Sequence, residues 1–528
     1  MTVGRVREAA RSHAQHGGNR VTWPSWGGPA VVTALVGITL LAYMGLWRGI
    51  WFDELLHFAF GGMTFEYAVK TIDYTTTHVN HGQTGAYFLL DWALLQVFGA
   101  SATALRSPSL LAAFLLLVAA AAFLRAKGFG WRWQALVVLS LGANETLMFY
   151  TGEARPYMPL AGSAAVMLAF YALNTDERRK WWARALALFG FLVGSVMHPY
   201  WLVMWGLIAV FSLGVALAEK SELRSLRASW IFLAPQYVLP ALILYVVVGQ
   251  LTWMRRVINF GWDNSIYNWG SLWNAFLQNH FSFAPFIYPT RGGTGELDAG
   301  PIIPIATAAM VILTVSWLLF DRYARSSRLL APVALFIVGA GSSLFFSYLS
   351  IRSQYIIFER QWVAGMAITA IASTWFFAEW VRNNGNPKSI RQLPAYAFIS
   401  LTIIAFSISM TSQVRITLDR YENWGAVESD NRSLEELARA AINAETFSYD
   451  PRKPEDGYGY LANVNIARGG PVWEIFIAWY NKEAGLRQEY REQDDNWSDL
   501  IWPDPAPQSY LCLPEREWQC SPPPVGIK

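Results

Sequence analysis

Apolar runs of roughly 20 residues, the length a helix needs to cross about 30 Å of hydrocarbon, recur along the first four-fifths of this chain. Clear ones begin near Val31, Ala104, Trp133, Pro156, Ala185, Trp201, Trp230, Pro301, Leu329, Gln361 and Leu393. That repetition restricts the chain to an all-α polytopic membrane protein. Composition agrees: 54% of the 528 residues are hydrophobic and 15% charged, against about 25% charged in an ordinary soluble protein. The 26 Trp and 23 Tyr suit membrane interfaces, where an apolar ring with one polar atom sits well. A net charge of +3 is too small and too dispersed for a nucleic-acid binder. Disordered, collagen-like and disulfide-scaffold classes are excluded as well.

The basic arm carrying Arg5, Arg7, Arg11 and Arg20 leads into the first run with no small-residue cleavage site, so that helix is expected to stay as an anchor. One further stretch, Thr84 to Gly99, decides the topology. It is short and carries Asp91 at its middle, features of a helix lying in the interface. Were it to span, the loop with Arg125, Lys127 and Arg132 would fall outside, opposite every later basic loop. If it lies flat, the basic residues at 178–184, 220–227, 322–328 and 382–391 share one side, as the positive-inside rule prefers. Eleven spans are therefore expected, with a cytoplasmic N-terminus and an outside C-terminus, in a bacterial inner membrane. The expected units are a cytoplasmic arm 1–29, a transmembrane catalytic domain 30–411 with outer loops 51–103 and 251–300, and an extracytoplasmic tail domain 412–528. Cys512 and Cys520 fall in that tail, where an oxidising compartment would pair them.

On the outer side this arrangement gathers WFDE (Trp51 to Glu54), the interfacial stretch followed by ALRSPS (Ala104 to Ser109), and GEARPY (Gly152 to Tyr157). In that order they resemble the polytopic GT-C glycosyltransferases of the bacterial protein O-mannosyltransferase and lipid A aminoarabinose transferase type. The resemblance covers about the first 200 residues well and the later spans in layout only. It implies a GT-C-like bundle that takes a sugar from a polyprenyl phosphate and places it on a glycan, lipid or protein acceptor at the outer face. Where the family has a His-Pro-Pro, this chain has Gln83, Thr84 and Gly85, with His81 two residues earlier; either His81 or Gln83 is a candidate for that role.

The chemistry can be argued from the residues themselves. An acceptor hydroxyl is a poor nucleophile until a base takes its proton, and an acidic pair just after the first span offers one. Asp53 is the candidate base. Glu54, expected to point about 100° away on a helix, is a candidate for sugar or acceptor binding, and its charge would tend to raise the pKa of Asp53. The competing reading is a solvated pair capping a helix. A lipid phosphate needs charge stabilisation more than acid catalysis, which suits arginine's planar fork. Arg155, Arg360, Arg255 and Arg256 are the candidates, with interfacial snorkelling as the plain alternative. Asp73, Glu153, Tyr157 and His198 are candidate substrate contacts on the same side, and Glu145 is an acid placed inside the third run (Trp133 to Tyr150), which makes it a functional suspect. Trp262, Trp269 and Trp273 read better as interfacial anchors than as sugar platforms.

No zinc spacing, Walker or Rossmann glycine pattern or GxSxG elbow occurs, so no cofactor is required, and a divalent metal is left open. The opposing class is a transporter or flippase of a lipid-linked saccharide. Transporters carry paired repeats and ionisable groups near the midplane, whereas the candidates here gather on one face.

Overall fold

The computed structural model describes residues 27–44, 57, 65, 69, 85–98, 102–198, 200–218, 276, 280, 327–352, 359–384 and 390–422. Among them there is no strand. The helices are α1 (Gly27–Met44), α2 (Gly85–Phe98), α3 (Ala102–Ala126), α4 (Trp131–Gly142), α5 (Glu145–Phe149), α6 (Tyr157–Ala172), α7 (Thr175–Arg179), α8 (Trp181–Met197), α9 (Tyr200–Ala218), α10 (Ser327–Arg352), α11 (Val363–Asn384) and α12 (Leu393–Glu422). Short 3₁₀ turns at Tyr150–Gly152, Glu359–Trp362 and Ile390–Gln392 lead into α6's approach, α11 and α12. Every expected run opens a helix except those at Trp230 and Pro301, which lie outside the described residues. By length and composition four described helices can cross a membrane, over Thr103–Ala126, Leu329–Tyr348, Arg360–Asn383 and Ile390–Val414; α1, α6, α8 and α9 are apolar but shorter. The tail domain is likewise outside the described residues, although α12 runs on to Glu422, into the segment assigned to it.

Two helices have almost no surface left for lipid. Residues Tyr157 to Phe170 of α6 are buried throughout, and 94% of α11's apolar window is buried, against 33% of α12's. A helix apolar all round belongs in the middle of a bundle. α10 meets α11 through small residues: a Cβ on Gly365 would lie 2.7 Å from the Gly339 carbonyl oxygen, closer than real Cβ contacts come. Without a hydrophobic gain between helices in lipid, such backbone approach and dispersion hold the pair. Several buried hydroxyls return to their own helix, as Thr374 to Ala370 (3.0 Å) and Thr402 to Phe398 (2.8 Å).

The bundle has two distinct ends. At the basic end α3 closes with Gly128 at φ 79°. Gly128 N–H reaches Arg125 O (2.9 Å) and Phe129 N–H reaches Leu124 O (3.0 Å), the left-handed stop that glycine makes cheaply. Arg382, at the end of α11, donates to the Lys127 carbonyl (3.0 Å) and lies 3.8 Å over the Phe129 ring. The ring of Trp131 packs on Gly28 at the start of α1. At the far end, Tyr43 of α1 donates to the Gly142 carbonyl that closes α4 (2.9 Å).

These contacts fix the directions of the helices at the two ends. α1 runs from the basic end to the far end, and α3 returns from the far end to the basic one. The third run does not form one helix, however. It breaks at Ala143 and Asn144, and the Asn144 side chain caps α5 by accepting from Leu147 N–H (2.9 Å). Asparagine followed by an acid is a helix start signal, and it overrides the apolar continuity of the run.

Candidate functional site

The far end of the two central helices carries Glu153, Arg155, Tyr157, His198 and Arg360, the candidates that fall among the described residues. Pro156, with φ −72°, precedes Tyr157 and its carbonyl takes the Leu160 N–H (3.2 Å), so α6 starts one residue later than a proline-first reading places it. The turn before it is held by α3. Pro108 lies inside α3 and has no N–H for the Ala104 carbonyl; Ser107 Oγ donates there instead, at 2.9 Å. The next residue, Ser109, reaches across to the Glu153 carbonyl (2.5 Å) and lies 3.2 Å from that of Arg155. The Tyr87 hydroxyl of α2 lies 3.1 Å from Ser109 Oγ. The only proton of Ser109 goes to a carbonyl, so Tyr87 is the donor of that pair. ALRSPS, GEARPY and the α2 helix thus form one hydrogen-bonded unit.

Tyr157 faces two other elements. The Arg360 guanidinium sits 5.6 Å from its ring centroid and the His198 ring 5.7 Å from it. His198 occupies the turn between α8 and α9, fully inside the protein, where its Nδ1 accepts from Tyr200 N–H (3.1 Å). Burial first, and the Arg360 charge second, lower its pKa to about 3. The ring is therefore neutral at ordinary pH, and with Nδ1 accepting, its proton is on Nε2 as a donor. Tyr200 stacks on Phe346 of α10 (4.2 Å between centroids, 14° between planes). Tyr157, Tyr200, Trp201, Phe346, Arg360 and Gln361 line a small pocket here, with Leu160, Met204 and Ala364 as its apolar floor. A guanidinium among aromatic rings, with the His198 imidazole beside Tyr157, suits an anionic group.

Of the other sequence candidates, Arg155 and Glu153 are buried in the same turn, at 7% and 3% exposure. Asp53, Glu54, Asp73, His81, Gln83, Arg255, Arg256, Cys512 and Cys520 lie outside the described residues. Glu145 finds partners that no local pattern announces: Ser409 Oγ (3.1 Å) and Gln413 Nε2 (2.9 Å) of α12 both donate to its Oε1. Sequence reasoning missed two buried histidines. His280 is 2.8 Å from Ser343 Oγ and stacked on Phe276 (4.4 Å), beside Trp362 (6.0 Å). His57 donates from Nδ1 to Asp91 Oδ2 at 2.6 Å. The available signal for the second was an imidazole three residues after Glu54 and a carboxylate inside an apolar helix. Among the described residues no cluster of three or more His, Cys, Asp or Glu could hold a metal ion.

No family model matches the chain, and no curated protein matches it. Among solved structures it is similar to ArnT from Cupriavidus metallidurans bound to undecaprenyl phosphate, at 16% identity and a TM-score of 0.33, covering 86% of this chain and 74% of that one. The apo form of the same protein gives 16% identity and a TM-score of 0.32, covering 86% of this chain and 73% of that one.

Proposed function

We propose that this protein is an integral-membrane glycosyltransferase of GT-C type, moving a sugar from a polyprenyl-phosphate donor to an acceptor hydroxyl at the outer face of the membrane. The observation that carries the reading is the convergence of Tyr157 of the GEARPY turn with Arg360 and neutral His198 at the far end of the buried central helices. A phosphate there would meet the Arg360 charge, with the neutral His198 ring also beside Tyr157. Arg155 joins them as a further phosphate group, and Arg255 and Arg256 are proposed for the same work from the outer loop 251–300. Asp53 is the base that takes the acceptor proton. Glu54, Asp73, Glu153 and either His81 or Gln83 contact sugar or acceptor.

The reaction is a displacement at the anomeric carbon: the acceptor oxygen forms the new C–O bond, its proton passes to the Asp53 carboxylate, and the bond to the lipid phosphate breaks. The leaving group departs as an anion, so the arginines gain on it as charge develops. Membrane placement follows from charge. The end carrying Arg125, Lys127, Arg132, Arg382 and Arg391 is cytoplasmic by the positive-inside rule, which puts the pocket outside with the acceptor; the proposal includes eleven spans. Purified protein given a radiolabelled polyprenyl-phosphate sugar and an extract of the native envelope should yield a labelled product. Transport of the intact lipid across vesicles without sugar transfer would overturn the assignment in favour of a flippase.

A further inference from the structure

His57 and Asp91 are both fully shielded from solvent, and their ring nitrogen and carboxylate oxygen are 2.6 Å apart. A carboxylate withdrawn from water costs several kcal/mol unless it is paired and hydrogen-bonded, so such a pair in a short apolar helix calls for a use. The pair is also packed. The His57 imidazole stacks on Phe88 (4.0 Å, 13° between planes) and meets the edge of Tyr87 (5.4 Å, 87°). Asp91 lies three and four residues, about one helical turn, after Phe88 and Tyr87 on α2, so all three side chains reach the same ring. From Tyr87 the path continues without a gap: its hydroxyl to Ser109 Oγ, and Ser109 Oγ to the carbonyls of Glu153 and Arg155.

We infer that His57 and Asp91 are a positioning pair, acting through Tyr87 and Ser109 to fix the 153–155 turn and hence the direction of the Arg155 guanidinium. The inference deepens the glycosyltransferase reading and rests on it for the consequence in turnover, though not for the mechanical link. Neither residue lines the pocket beside Tyr157 and Arg360. Their work is orientation: a guanidinium aimed at a phosphate whose charge grows in the transition state gains more there than in the ground state, so misaiming it lowers kcat more than it raises the donor KM.

The test uses the full-length protein in detergent or nanodiscs, with Tyr87→Phe, Asp91→Asn and Asp91→Leu. Hydrogen exchange at the amides of 151–155 is read first. Losing one hydrogen bond of the path should speed it by about tenfold in Tyr87→Phe, with α6 and α11 unchanged. Asp91→Asn, which keeps an acceptor for His57, should restore most of the protection that Asp91→Leu loses. With a labelled polyprenyl-phosphate sugar, Tyr87→Phe should lower kcat by roughly tenfold while the donor KM moves less than about threefold. Unchanged exchange at 151–155 in Tyr87→Phe overturns the link, even if Asp91→Leu fails to fold. Faster exchange with a wild-type kcat overturns the positioning role while leaving the link. A wild-type protein that transfers no sugar overturns the functional reading alone, and the exchange result still decides the pair.

Discussion

A single neutral imidazole illustrates how much of the site is decided residue by residue. His198 has its pKa lowered to about 3 by burial and by Arg360. Between that value and the ordinary 6.5 an unfolded chain binds a proton that the folded one refuses, so the folded state loses stability as pH falls through this window, by at most about 1.4 kcal/mol per pH unit. His198→Asn keeps an acceptor for Tyr200 N–H but cannot titrate. Its melting temperature should therefore fall less steeply than that of the wild type from pH 6.5 to 4; equal slopes would contradict the buried, neutral ring. Asp53→Asn removes a proton acceptor while keeping size, so turnover should drop by roughly 10², the scale of general-base catalysis, with donor binding retained. Near-normal transfer by that variant removes Asp53 from the mechanism. Tyr157, His198 and Arg360 were legible in the sequence because each sits at the end of an apolar run, where chemistry must gather. His57 with Asp91, and Glu145 with Ser409 and Gln413, were not: the second set is separated by 264 and 268 residues, and pairing over that distance leaves no local pattern.

Helices here were readable from apolar length, and their interruptions were readable only from single polar residues. Asn144 ends one run early, and Pro108 is tolerated in α3 because the Ser107 hydroxyl replaces the missing donor. The α10 and α11 contact has no hydropathy signal at all, since glycine and serine look indifferent on such scales. Its closeness makes a sharp expectation. Gly365→Ala would press a methyl group against the Gly339 carbonyl and the Ser343 hydroxyl that faces His280, costing about 1–3 kcal/mol by overpacking. A melting temperature within a degree of wild type would mean that the two helices separate freely. Because the 3₁₀ turn Glu359–Trp362 that carries Arg360 leads directly into α11, the same substitution should also weaken donor binding.

For the molecule as a whole, the distribution of arginine and lysine gives an expected arrangement that the apolar runs alone do not. Placing the basic loops on one side requires that Thr84 to Gly99 not span; the packing of Trp131 on Gly28, with Tyr43 bonded to Gly142, fixes the relative directions of α1 and α4. Reporter fusions after Arg132, Arg184, Arg328 and Lys388 should report cytoplasm, and fusions after Gly152 and Arg420 the outside; an outside signal after Arg132 would invert the site map. The central claim is that the far end of the bundle holds a lipid-linked phosphate. Native mass spectrometry of the detergent-purified protein with added polyprenyl phosphate tests it most directly, comparing wild type with Arg155→Lys and Arg360→Lys. Lysine keeps the charge but loses the bidentate fork. The account predicts a one-to-one lipid adduct on the wild type that weakens in each variant and disappears when both are combined. An adduct of equal intensity on the doubly substituted protein would contradict it.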